Sequence, residues 1–335
     1  MTAHKSAPQV LVPAARVLRG NGVEAVHAAA IAVVDARSRL THYLGDPEQA
    51  FFARSSIKPF QALPLIEAGG VERFGLDMRE LALCAASHSA SELHRGVVLG
   101  ILRKLGLDES ALQCGPGEDG DVVSHNCSGK HCGFLALSLA LDEPVGLYLE
   151  PDGAVQRAVR SAVAQACEVS DADALARGTD GCSAPNYALP LTKLAAGFKN
   201  LAASARGPLL RVRAAMQTHP LLVSGEGRLD HDLALAFPER VVAKGGAEGL
   251  ALLGFTEPAL GVAVKVLDGN RRALGPIVVE TLKQLGLIDD VRRFPSLERH
   301  EAPTVTNARE RVTGEVRAEF ELVSAQPESA ATSRR

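Results

Sequence analysis

The octapeptide RSSIKPFQ, residues 54–61, sets a serine three residues ahead of a lysine, with a proline directly after it. If a helix begins near Ser55, then Ser55 and Lys58 lie one turn apart on one face, and hydroxyl and amine can approach each other. Pro59 is tolerated only in a first turn, where backbone N–H groups lack partners, so the helix start must fall close to Ser55. Such a pair suits nucleophilic chemistry, with the serine attacking and a neutral lysine taking its proton. Burial and nearby positive charge must then lower the lysine from its usual pKa of about 10.4. A serine at a helix start is also an ordinary N-cap, so the pair gains meaning only with partners elsewhere.

Two stretches supply them. CAASHSASELH (84–94) places Ser87 and His88 between one apparent helix and the next, and AKGGAEG (243–249) places Lys244 at a strand end. The two glycines after Lys244 let a substrate come close to the backbone. The order S-x-x-K, S-x-S, K-G-G follows the layout of serine enzymes of the penicillin-binding protein and class A β-lactamase type.

A fourth stretch, SHNCSGKHCGFL (124–135), contains SGKH, but Ser124 stands where a phosphate loop needs glycine and His131 replaces its Ser/Thr, which excludes nucleotide binding. Cys127 and Lys130 sit one turn apart there, and GTDGCSAPNY (178–187) offers Asp180 and Cys182. Two thiolates with a third donor and an open position would suit zinc. The same residues also read as buried unpaired cysteines, and a neutral lysine is a rare ligand, so on chemistry alone the second reading is preferred.

The elements that must position these residues follow from periodicity. VEAVHAAAIAVVD (23–35) and RLTHYL (39–44) flank a turn and predict a β-hairpin. Apolar residues at three- and four-residue spacings predict helices over 91–106, 129–142, 153–167, 187–202 and 271–286. Strand patterns return at 249–255, 260–269 and 313–322. The expected fold class is therefore α+β, a single domain over 1–323: an antiparallel sheet from the N- and C-terminal parts (about 15–50 and 237–323) with an inserted helical region (about 51–236), and a disordered polar tail at 324–335.

With 335 residues, 46% hydrophobic and 22% charged, the chain has the composition of a soluble globular protein able to bury a large core. A net charge of -3 without a long basic block argues against nucleic-acid or membrane partners. The opening residues lack an apolar stretch of signal-peptide length, so the expected location is cytoplasmic. Six scattered cysteines (84, 114, 127, 132, 167 and 182) do not form a disulfide framework.

Taken together, ARSSIKPFQ, CAASHSASELH, NCSGKHCGFL, GTDGCSAPNYALPL and GEGR followed by AKGGAEG resemble the asparaginase II family, the rhizobial-type L-asparaginases, from about residue 15 to about 320. The resemblance implies a β-lactamase-like fold, a homodimer, and hydrolysis of L-asparagine to L-aspartate and ammonia. It implies paired catalytic groups, Ser55 with Lys58 and Ser87 with Lys244, and a zinc site from Cys127, Lys130 and Cys182, with Asp180 close to the substrate. Arg54, His88, Lys130 and Asp180 are the candidates for gripping the substrate's charged groups, and the N–H of Gly245 or Gly246 for stabilising an oxyanion. At Asp230 the chain departs from a cysteine expected in some relatives, so no role of that cysteine carries over. The rival readings are a serine hydrolase of the β-lactamase or peptidase type, which gives no reason for the Cys-Lys-Cys set, and a non-catalytic asparagine-binding protein.

Overall fold

The structure is a computed structural model that describes residues 10–325. Its main sheet is antiparallel throughout and draws on both ends of the chain, as the strand patterns predict. β1 (Val12–Arg19), β2 (Gly22–Val34), β7 (Val241–Gly246), β8 (Leu250–Thr256), β9 (Ala259–Val266), β10 (Thr304–Thr306) and β11 (Val312–Ala318) run in the order β10-β11-β1-β2-β9-β8-β7. The long β2 is shared: β1 pairs with its first half, and β3 (Leu40–Leu44) pairs with Ile31–Val34 on the same edge, while β9 takes the other edge.

Alternation along the strands sends side chains into two cores. On β8, Leu250 and Leu252 belong to the core under the helical region, whereas Ala251, Leu253 and Phe255 belong to the core on the opposite face. The helix Leu274–Gln284 covers that second face. On the first face lies the helix Leu191–Ala203, seated so closely that a Cβ at Gly254 or Gly261 would run into the carbonyls of Phe198 or Ala195.

Between the strand blocks, helices occupy Glu92–Leu105, Ser128–Ala140 and Ala154–Ala166, within a residue or two of the expected spans. The helix expected over 187–202 begins only at Leu191: Pro185–Pro190 is a strand. Pro190 is the reason, because it biases the residue before it towards extended backbone. That strand, β6, lies between β4 (Ala50–Phe52) and β5 (Ala176–Thr179) in a second small sheet that the helical periodicity concealed. β1 also escaped the pattern, since VPAARVLR has neither clean alternation nor a helical stripe.

At the C-terminal side, Val323–Ser324 forms β12, pairing with Tyr43 and His42, so Ser324 is placed in a strand rather than in the expected tail. Residues 326–335, the remainder of that tail, lie outside the described residues. Among the described residues no helix is long and apolar enough to cross a membrane.

Candidate active site

The three boxes converge where the edge strand β7 meets the turn following β4. Arg54–Ile57 is one 3-10 turn, and the α-helix Lys58–Gln61 starts directly after it with Pro59 in its first turn. The backbone is pinned from the small sheet: Ala53 N–H donates to the Tyr187 carbonyl (2.9 Å) and Arg54 N–H to Asn186 Oδ1 (3.0 Å). Arg54 itself adopts φ +51°, a left-handed conformation that is costly for a side chain larger than glycine and is held by these contacts. Gly246, at the end of β7, lies against the same turn, since a Cβ there would approach Ala53 O at 3.1 Å.

Lys58 is fully buried, and its amine reaches away from the turn. It donates to the Ala86 carbonyl (2.6 Å), Ser87 Oγ (3.0 Å) and Cys127 Sγ (3.1 Å). The contact of Lys58 in the structure is thus with Ser87. Ser55, half-buried, makes no side-chain hydrogen bond among the described residues, to Lys58 or to any other group.

Lys244 is equally buried and meets Asp230 rather than Ser87. Its amine donates to Asp230 Oδ2 (3.1 Å) and to the Gly245 carbonyl (3.0 Å). Burial holds Lys244 below the ordinary lysine range, Lys58 and Arg228 push the same way, and Asp230 opposes them. Burial would raise the Asp230 carboxyl, but Lys244 and the Gly245 N–H outweigh it and keep the group below the usual carboxylate range. The Gly245 N–H is committed to Asp230 Oδ2 at 2.9 Å, so the expectation that it serves an oxyanion is corrected: that donor is already used.

His88 lies beside Ser87 with a defined tautomer. Ala90 N–H donates to Nδ1 (3.2 Å), so Nε2 carries the proton and donates to Ser128 Oγ (2.9 Å), whose own hydroxyl donates to the Val123 carbonyl (2.8 Å). Burial first, and His94 and Lys58 second, push its pKa down to about 3, so at neutral pH the ring is uncharged. It can orient a substrate but offers no positive charge to a carboxylate. The sign of the linkage is fixed: with its folded pKa below the unfolded value, His88 favours folding fully above about pH 6.5, and that stability is lost as pH falls towards 3. Between pH 7 and 5 this one residue is expected to cost about 2 kcal/mol. Denaturant titrations of wild type and His88→Gln should show the variant's pH slope flatter by that amount; equal slopes would mean that the ring is not held neutral.

Arg54 and Asp180 are brought together by β4 and β5, with Arg54 Nε 2.7 Å from Asp180 Oδ1. Asp180 also accepts the Gly181 N–H at 2.9 Å. Next to it Cys182 is buried and receives a hydrogen bond from Lys130 Nζ at 2.9 Å. The Cys182 side chain acting as donor, with the charges of Lys58 and Lys130, holds Cys127 well below the usual thiol range despite burial, while Cys182 is pushed up by the same partnership. Burial works against the charge of Lys130, but the two cysteines outweigh it and raise Lys130 above its ordinary range.

Among the described residues no three His, Cys, Asp or Glu side chains gather around a point that could hold a metal. The set that the family resemblance implies, Cys127, Lys130 and Cys182, draws one of its three donors from a lysine. The donor chemistry fits a thiophilic ion: two sulfurs, one already inclined to ionise, and an amine in contact with one of them. Lys130 would have to give up its proton. All six cysteines are buried and free.

Two clefts adjoin the cluster. One of about 530 Å³ is lined by His88, Ser89, Asn126 and Arg228; the other, about 450 Å³, is lined by Phe51, Arg54, Asn186 and Glu248. Arg228, whose Nη1 lies 3.4 Å from the Ser87 carbonyl, and Asp230 were not assigned roles from sequence. The signal available was the charged pair inside GEGRLD, a glycine-broken run between two periodic segments.

Solved structures similar to this chain include a β-lactamase from Mycobacterium bovis (15% identity, 76% of this chain and 94% of that one, TM-score 0.46) and an octameric penicillin-binding protein homologue from Pyrococcus abyssi (15% identity, 81% and 76%, TM-score 0.44). No curated protein matches it in sequence. The sequence from residue 15 to residue 318, which carries every group described above, matches the family described as L-asparaginase II, and the chain belongs to that family.

Proposed function

We propose that this protein hydrolyses the side-chain amide of L-asparagine to L-aspartate and ammonia through an acyl-enzyme on Ser55. The observation that carries the reading is the Arg54–Asp180 pair at the start of the serine turn, 2.7 Å apart and partly buried. An amino acid substrate is a zwitterion, and a fixed cation and anion side by side match its carboxylate and ammonium groups; an internal peptide bond offers no such pair of charges.

Ser55 attacks the amide carbon and Lys58, once neutral, takes its proton. Ser87, already bonded to the Lys58 amine, passes protons within the site, and Lys244 serves the departing nitrogen. Water then releases aspartate from the ester. Zinc held by Cys127, Lys130 and Cys182 would supply an electrophilic open position beside Asp180. The family resemblance suggests a homodimer, and the opening sequence a cytoplasmic setting.

The purified protein is expected to release ammonia and aspartate in equal amounts from L-asparagine. Heat of asparagine binding without ammonia would replace this reading with a binding protein, and nitrocefin turnover without asparagine turnover would replace it with a β-lactamase.

A further inference from the structure

We propose that Asp230 is a positioning residue for the hydrolysis proposed above, on which this inference rests: its carboxylate keeps Lys244 an ammonium ion, so that Lys244 acts as the acid and does not compete with Lys58 for the serine proton. Asp230 stands in the first turn of the helix Leu229–Ala236, and Lys244 on β7 opposite Leu252 of β8. One carboxylate oxygen holds both the Lys244 amine (3.1 Å) and the Gly245 N–H (2.9 Å), fixing amine and strand end together. A Cβ at Gly245 would stand 2.9 Å from Asp230 Oδ1, so a larger residue there would have to displace the carboxylate from this position.

The charged groups facing Lys244 are Asp230, Lys58 from the helix Lys58–Gln61, and Arg228 from the segment before Asp230. Burial and the two cations all favour loss of its proton; Asp230 opposes them. Without the carboxylate, burial and the two neighbouring cations would act on Lys244 unopposed, and the departing nitrogen would lack a donor.

The protons balance. In acylation the Ser55 proton goes to neutral Lys58, the C–N bond breaks, and the nitrogen leaves as ammonia with a proton from Lys244. In deacylation water adds to the ester and gives a proton to Lys244, the ester C–O bond breaks, and Ser55 recovers its proton from Lys58. Each cycle restores the starting charges.

The test is carbon-13 NMR of protein labelled at lysine Cε, with the Lys244 signal identified by its absence in Lys244→Arg. In Asp230→Asn the Lys244 midpoint is expected about one to three pH units below wild type, the size of an opposite charge at contact. The basic limb of kcat/KM for asparagine is expected to move down with it, and Asp230→Glu to restore both. Asp230→Ser provides a second neutral variant should the asparagine variant not fold. An unchanged midpoint in a folded neutral variant overturns the proposal, as does a lowered midpoint with an unmoved kinetic limb. A merely structural role would lower activity without moving either. If wild type releases no ammonia, the hydrolytic reading fails separately and the NMR midpoint still decides whether Asp230 holds the Lys244 charge.

Discussion

Replacing Ser55 by alanine is expected to lower kcat for ammonia release by about 10⁴-fold or more, because a nucleophile removed leaves only the contribution of binding and electrostatics. The fold should be untouched. Ser55 is half-buried and its hydroxyl has no hydrogen-bond partner among the described residues, so deleting one oxygen breaks no contact. Ser87→Ala provides the contrast. Its hydroxyl accepts the Lys58 amine at 3.0 Å, and loss of a proton-transfer partner is expected to cost about 10²- to 10⁴-fold. A coupled ammonia assay at matched folding separates the two, and mass spectrometry of the quenched enzyme should show the aspartyl ester in wild type and not in Ser55→Ala. If Ser55→Ala keeps substantial turnover while Ser87→Ala keeps none, the nucleophile is Ser87, the serine that Lys58 touches.

That contrast shows where sequence reasoning reached its limit. The spacing of Ser55 and Lys58 identified both residues but suggested that they meet each other. The chain instead makes a 3-10 turn at Arg54–Ile57 before the helix at Lys58, and the lysine extends to Ala86, Ser87 and Cys127. Those acceptors come from segments 28 to 69 residues away, beyond any local periodicity. Asp230 is similar: nothing in GEGRLD says that its carboxylate will cap the strand end carrying Lys244, 14 residues later.

What was legible was local and chemically unusual. The glycines after Lys244, the lysine in an apolar run, and the NCSGKH box with its cysteine and lysine each stand out from their surroundings. Long elements with strong periodicity, such as Glu92–Leu105, were also legible. The small sheet that aligns Arg54 with Asp180 was not, because its strands have three, four and six residues, too few for alternation to compete with the helical stripe that follows.

The cysteine pair leads to the second large effect. The purified protein is expected to bind one zinc per chain, and Cys182→Ala or Cys127→Ala to bind almost none, as read by metal analysis after dialysis. The protonation states predict more than stoichiometry. Cys127 is held towards its thiolate, but Cys182 and Lys130 are both held protonated in the metal-free protein, so binding must displace those protons. Affinity should therefore fall on the order of tenfold or more per pH unit as pH is lowered, with protons released on binding in a weakly buffered titration. Affinity independent of pH would place the metal elsewhere. The locus touches Asp180, whose Oδ2 lies 3.9 Å from Cys182 Sγ, and Asp180 pairs with Arg54. Stripping the metal is accordingly expected to raise KM for asparagine about tenfold while leaving kcat nearly unchanged, the signature of lost substrate positioning. A fall in kcat at constant KM would instead assign the ion to the chemical step, and would require the proton transfers at Lys58, which shares Cys127 with that locus at 3.1 Å, to be reassigned.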